Sequence, residues 1–172
     1  RIETSDGKQA NPKLQSLDII GLTLGLGKRL QVPDDWFILR QNISYQNYRL
    51  NNYNFGTVVF DFGKGTSNVL AYSVQLSRNS VDAPFFARSG SDVTLSLKAT
   101  PPWSLLQPGR DWAAMPSAER FQWAEFHKWK FTTQWFNRLT RSKTQHDLVL
   151  MLRAGYGFLG KYNSAIGQSP FE

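Results

Sequence analysis

The chain has 172 residues, a formal net charge of +7, no cysteine, and six Trp within an aromatic content of 14%. The length fits one domain, and the missing cysteines exclude disulfides and thiolate metal sites. Mean hydropathy is -0.41 and no stretch approaches the ~18 apolar residues of a membrane helix, so helical spans are excluded. The basic residues are scattered among turns and polar strand positions rather than gathered in a stripe, which argues against nucleic-acid binding.

Six segments alternate apolar and polar residues, and side chains of a strand point to opposite faces with period two. The first covers about residues 17–27, with Ile20, Leu22, Leu24 and Leu26 on one face and Gly21, Thr23, Gly25 and Gly27 on the other. The second, about 36–48, sets Phe37, Leu39, Ile43 and Tyr45 against Arg40, Asn42, Ser44 and Gln46; Gln41 interrupts its apolar side. The third, about 67–77, has Leu70, Tyr72, Val74 and Leu76 against Ala71, Ser73 and Gln75. The fourth, about 91–100, has Val93, Leu95, Leu97 and Ala99 against Thr94, Ser96, Lys98 and Thr100. The fifth, about 120–136, puts Phe121, Trp123, Trp129, Phe131 and Trp135 on one parity, with Glu125 and His127 on that same parity. A bulge, or a strand running past the apolar zone, accounts for those two polar residues. The sixth, about 147–159, is the clearest: Leu148, Leu150, Leu152, Ala154, Tyr156 and Phe158 alternate with Met151, Arg153, Gly155 and Gly157. Residues 117–125 allow one helical turn and no more.

The links between these segments alternate in length. Those at about 28–35, 78–90 and 137–146 are shorter; those at about 49–66 and 101–119 are long, the latter with four prolines. Strands of about 9–11 residues with one oily face, joined alternately by short turns and long loops, are the pattern of a transmembrane β-barrel. The sequence predicts an all-β fold: about six strands of an antiparallel barrel, residues 1–172 forming a fragment of one barrel domain. A β-sandwich binding module is the soluble alternative, but it has no reason to sort its loops by length. Six strands do not close a barrel, so the remainder is expected from another segment or another copy. The chain opens Arg1-Ile2-Glu3-Thr4 with no apolar leader, which for an exported protein predicts an internal or mature fragment.

The motifs that carry chemistry elsewhere are weak. Gly25-Leu26-Gly27-Lys28-Arg29-Leu30 lacks the spacing and terminal Lys-Ser/Thr of a phosphate loop. Its glycines read as lumen-facing or turn-sharpening residues. Asp34-Asp35 after Pro33 reads as turn chemistry rather than a cation site. His127 and His146 have no partner at metal-ligand spacing, and no nucleophilic triad stands out. No catalytic residue, metal or cofactor is predicted. Arg40, Lys98, Lys130 and Arg153 fall on the inward parity, where they face water or hold an inserted loop.

Asp82-Ala83-Pro84-Phe85-Phe86-Ala87-Arg88-Ser89-Gly90-Ser91 is the most distinctive segment, two aromatics and a turn glycine just before a strand. It resembles the Phe-Pro-x-x-Gly-like turn of the outer-membrane insertase superfamily. Phe86 and Gly90 match, with Arg88 between them, and Ala87 stands where proline is usual. Three further stretches resemble the BamA family in its Bacteroidetes form: residues 25–30 followed by Pro33-Asp34-Asp35-Trp36-Phe37, residues 77–82, and Gly155-Tyr156-Gly157 with Ser169, Pro170, Phe171 and Glu172 leading toward the luminal loop. The resemblance covers most of the chain from Leu17 onward. It implies the middle of a sixteen-stranded barrel, preceded by POTRA domains, in the bacterial outer membrane. It implies insertion of unfolded outer-membrane protein clients into the lipid bilayer, with accessory lipoproteins or periplasmic chaperones as partners, and no cofactor. The family's Val-Arg-Gly-Phe/Tyr motif is expected beyond Glu172. A two-partner secretion or TamA-like transporter shares the fold, and a passive porin-type channel shares the architecture.

Overall fold

The alternation of β-branched, aromatic and small residues builds strands, since such side chains pack well on a pleated surface. The computed structural model describes residues 16–51, 64–107, 109–140 and 148–167. Six strands form one antiparallel sheet in sequence order. They are β1 (Ser16–Arg29), β2 (Phe37–Asn51), β3 (Lys64–Asn79), β4 (Gly90–Ala99), β5 (His127–Thr140) and β6 (Leu148–Gly160). A single helical turn, α1 (Ser117–Arg120), follows Pro116 in the long link before β5. The sheet is open among the described residues, with β1 and β6 as its edges.

The meander puts the links after β1, β3 and β5 at one end and those after β2 and β4 at the other. The predicted sorting of links by length is therefore a sorting by end. Register is continuous across the sheet: Leu26 opposes Gln41, Gln41 opposes Val74, Val74 opposes Leu97, Leu97 opposes Trp129, and Trp129 opposes Phe158. Directly opposed residues share a face, so the apolar parities of all six strands fall on one side.

The fifth strand differs from its predicted span. It begins at His127, not near 120, and runs to Thr140 with an irregularity between Arg138 and Thr140. Phe121 and Trp123 belong to the long link. There the chain runs parallel to β3, with Asn68 N–H donating to the Gln122 carbonyl (2.8 Å) and Ala124 N–H to the Asn68 carbonyl (2.9 Å). The link occupies the β3 edge beyond the end of β4, so buried backbone groups keep partners.

The core is small and sits at the long-link end of the polar face. Leu50, Val69 and Ala71 from the strands are covered by Ala124 and Phe126 of the link, with Tyr48, Phe121 and Leu159 packed around them. Glu125 is buried too, and accepts from both the N–H and the hydroxyl of Ser104, the latter at 2.8 Å. That pair ties the two ends of the long link together.

Candidate functional site: two unlike faces of one sheet

The apolar face is exposed, which is unusual for side chains of this kind in water. Ile20, Leu22, Leu24 and Leu26 of β1 are 62–82% accessible, and Leu95, Trp129, Trp135, Leu152 and Tyr156 on later strands are 42–67% accessible. A shallow cleft on this face runs between Leu95, Trp129, Phe131, Tyr156 and Phe158. Gln41, a polar residue inside the band, is accommodated there: the Tyr72 hydroxyl donates to its Oε1 at 2.7 Å.

Polar groups rim the band at both ends. On the long-link side Asn68 Oδ1 accepts from the Tyr45 hydroxyl (2.8 Å) and from Asn47 Nδ2 (2.9 Å), and Arg49 Nε donates to Asn47. On the short-link side Arg78 pairs with Asp34 at 2.9 Å, donates to Ser80 and Ser91, and lies over the Phe37 ring. Asp34 also accepts from Trp36 N–H, so the Pro-Asp-Asp turn works as a local brace.

The opposite face carries Arg40, Lys98, Lys130 and Arg153, as parity predicts. Arg40 opposes Gln75, Gln75 opposes Ser96 and Ser96 opposes Lys130; Lys98 opposes Ser73; Arg153 opposes Gln134. The register also brings Lys128, absent from the predicted set, directly opposite Lys98. Lys98 Nζ stands 5.5 Å from the centre of the Phe126 ring.

The turn motif forms a defined structure. Asp82 Oδ1 accepts from Arg88 N–H at 3.0 Å and Asp82 N–H donates to the Ser89 carbonyl at 3.1 Å. The Arg88 N–H holds the Asp82 carboxyl below the usual carboxylate range. Gly90 has φ 108°, and a Cβ there would run into the Ser80 carbonyl, so only glycine fits. Phe86 itself has φ 55° and is 94% accessible. Left-handed backbone is rare for a bulky residue and concentrates where a site requires it. Ser169, Pro170, Phe171 and Glu172 lie outside the described residues, as does His146.

Around His127 a second aromatic group forms, with Phe158 and Tyr162 ring centres at 5.8 and 5.3 Å. Burial, and then the Glu125 charge, push the Tyr162 hydroxyl above its ordinary pKa. Trp103 and Trp123 pack at 4.8 Å over the link. The Trp103–Trp123 contact lies within the long link, whereas the His127 group joins the start of β5 to the end of β6 and the residues after it. No protein-family model matches the chain, and no curated protein matches it.

Proposed function

We propose that this chain is part of the wall of an outer-membrane β-barrel of the BamA-like insertase type, which assembles other β-barrel proteins into the outer membrane. One observation carries the membrane part of this reading: an exposed apolar band crosses all six strands and is rimmed by polar networks at both ends. On β3 the rim residues Asn68 and Arg78 are ten residues apart. At ~3.3 Å per residue this is about 33 Å along the strand, and a barrel tilt of ~40° reduces it to about 25 Å of height. That is the apolar height typical of outer-membrane barrels.

The open edges of β1 and β6 support a larger barrel, because lipid supplies no partners for unpaired N–H and C=O groups. The insertase part rests on the resemblance of the turn and strand motifs, of which the Phe86–Gly90 turn is the most constrained in structure. In this reading the apolar face meets lipid, the cationic face lines the lumen, and clients enter by pairing strands at an opened seam elsewhere in the barrel.

Depletion of the parent protein in its own cell tests the activity. Many unrelated outer-membrane barrel proteins are then quantified over time. A broad fall, with unfolded forms gathering in the periplasm, is the expected result. Loss of one secreted protein or one solute uptake, other barrels being unchanged, marks a dedicated transporter or a channel instead.

A further inference from the structure

The polar face is electrostatically one-sided. Arg40, Lys128, Lys130 and Arg153 are exposed on it and Lys98 is half-buried. The described strands contribute one carboxylate to this face, Asp92, already engaged by Asn79 and Thr94. The Arg78–Asp34 ion pair lies on the other face.

Lys98 and Lys128 are direct cross-strand partners, a pairing that destabilises an antiparallel sheet. Lys130 follows on the same strand and face. The side toward Lys130 is open, since Gly157 opposes Lys130 and Gly155 opposes Thr132, while Lys98 lies against Phe126 of the link and Lys128 opposes Leu159. A second chain can therefore approach the backbone beside the cluster. Asp34 and Asp35 stand at the opposite end of the sheet, Asp18 opposes Arg49 on the apolar face, Glu125 is buried on Ser104, and Asp111 and Glu119 belong to the long link, where Asp111 accepts from the Ala113 and Ala114 N–H groups.

The missing charge has a definite shape. Lys128 and Lys130 are two residues apart on one strand, about 7 Å, and an extended polypeptide repeats its side chains on one side at the same interval. Lipid phosphates fit less well, since the cluster lies on the face opposite Leu95, Leu97 and Trp129. We propose that this face docks an extended acidic segment of another polypeptide, with carboxylates at alternate positions engaging Lys128 and Lys130 and with Lys98 beside them. The proposal rests on the polar face being the water side of the wall, and does not depend on insertase activity.

The test uses the intact parent protein in neutral-lipid nanodiscs. Labelled peptides with alternating Glu-Ser, Gln-Ser and Lys-Ser sequences are titrated and followed by anisotropy at low and at physiological ionic strength. The Glu-Ser peptide is expected to bind selectively and to weaken with salt. Paired Lys128→Gln and Lys130→Gln substitutions are expected to weaken it about tenfold, whereas paired Lys→Arg substitutions retain binding. Equal binding of the Glu-Ser and Gln-Ser peptides, or an unchanged affinity in the Gln pair, overturns the proposal. Displacement of the peptide by a short-chain anionic phospholipid, without peptide preference, replaces it with a lipid site. Labelling of a Lys130→Cys variant by a membrane-impermeant maleimide reads the water-side assignment separately. Labelling without peptide binding rejects the docking alone; absence of labelling rejects both.

Discussion

Leu95→Arg separates a lipid-facing sheet from a water-facing one. Leu95 sits in the middle of the apolar stretch of β4, between Leu76 on β3 and Phe131 on β5, and is 45% accessible. If that accessible surface meets the centre of a bilayer, arginine there costs about 2–4 kcal/mol. If it meets water, an exposed substitution of this kind stays within about 0.5 kcal/mol apart from lost packing. Leu95→Ala measures the packing, two cross-strand pairs at about 0.2–1 kcal/mol each. Thr94→Arg, one residue away on the polar face and near Asp92, supplies the opposite-face control. The assay is denaturant unfolding of the parent protein reconstituted into bilayers, with slopes compared to confirm a common transition. Leu95→Arg is expected to be much the worst of the three. Equal and small shifts for Leu95→Arg and Thr94→Arg would refute a lipid-facing β4.

Tyr72→Phe removes the hydroxyl that satisfies Gln41 within the apolar band, and should cost about 1–3 kcal/mol in bilayers; adding Gln41→Leu should recover most of it. Gly90→Ala forces a side chain into the Ser80 carbonyl at positive φ, and should destabilise by at least about 1–3 kcal/mol in the same unfolding assay. Glu125→Ala strips the buried acceptor from Ser104 and should speed hydrogen exchange selectively in residues 100–126, leaving β1 and β2 protected. The Asp82 carboxyl is held low by the Arg88 N–H, so its support of the turn is complete above the ordinary carboxylate pKa and is lost as pH falls through the lowered folded value. A loss of protection of the Arg88 amide on acidification, measured against its intrinsic exchange rate at each pH and absent in Asp82→Asn, checks the sign.

Much of the sheet is legible in the sequence because period two survives in β1 to β4 and in β6. Tyr72 and Val74 share the apolar face of β3, opposed to Ile43 and Gln41 across the β2–β3 ladder, and the run from Leu148 to Phe158 keeps one parity throughout β6. The start of β5 is hidden by the same signal. Phe121 and Trp123 continue an apparent alternation, yet they serve the long link, where Trp123 packs on Trp103 and the backbone pairs with Asn68. The misfit of Glu125 with the apolar parity is the sign in the sequence that the strand has not begun. Its partner Ser104 is 21 residues away, a separation that no local pattern reveals. Parity alone also puts Arg40, Lys98, Lys130 and Arg153 on one face. The opposition of Lys98 and Lys128 needs the register, which depends on how β4 and β5 meet. The left-handed backbone of Phe86 has no sequence signal of its own, because glycine or asparagine is the usual occupant of that region.

Every functional property proposed for this chain depends on the apolar face meeting lipid, and a nitroxide scan along β4 tests that most directly. Single cysteines at residues 92–98 of the parent protein in bilayers are spin-labelled, and collision with oxygen is compared with collision with a water-soluble nickel chelate. Strict alternation is the expected result: labels at positions 93, 95 and 97 favour oxygen, and labels at 92, 94, 96 and 98 favour the chelate. Chelate access at every position, with no period of two, would contradict a lipid-facing sheet.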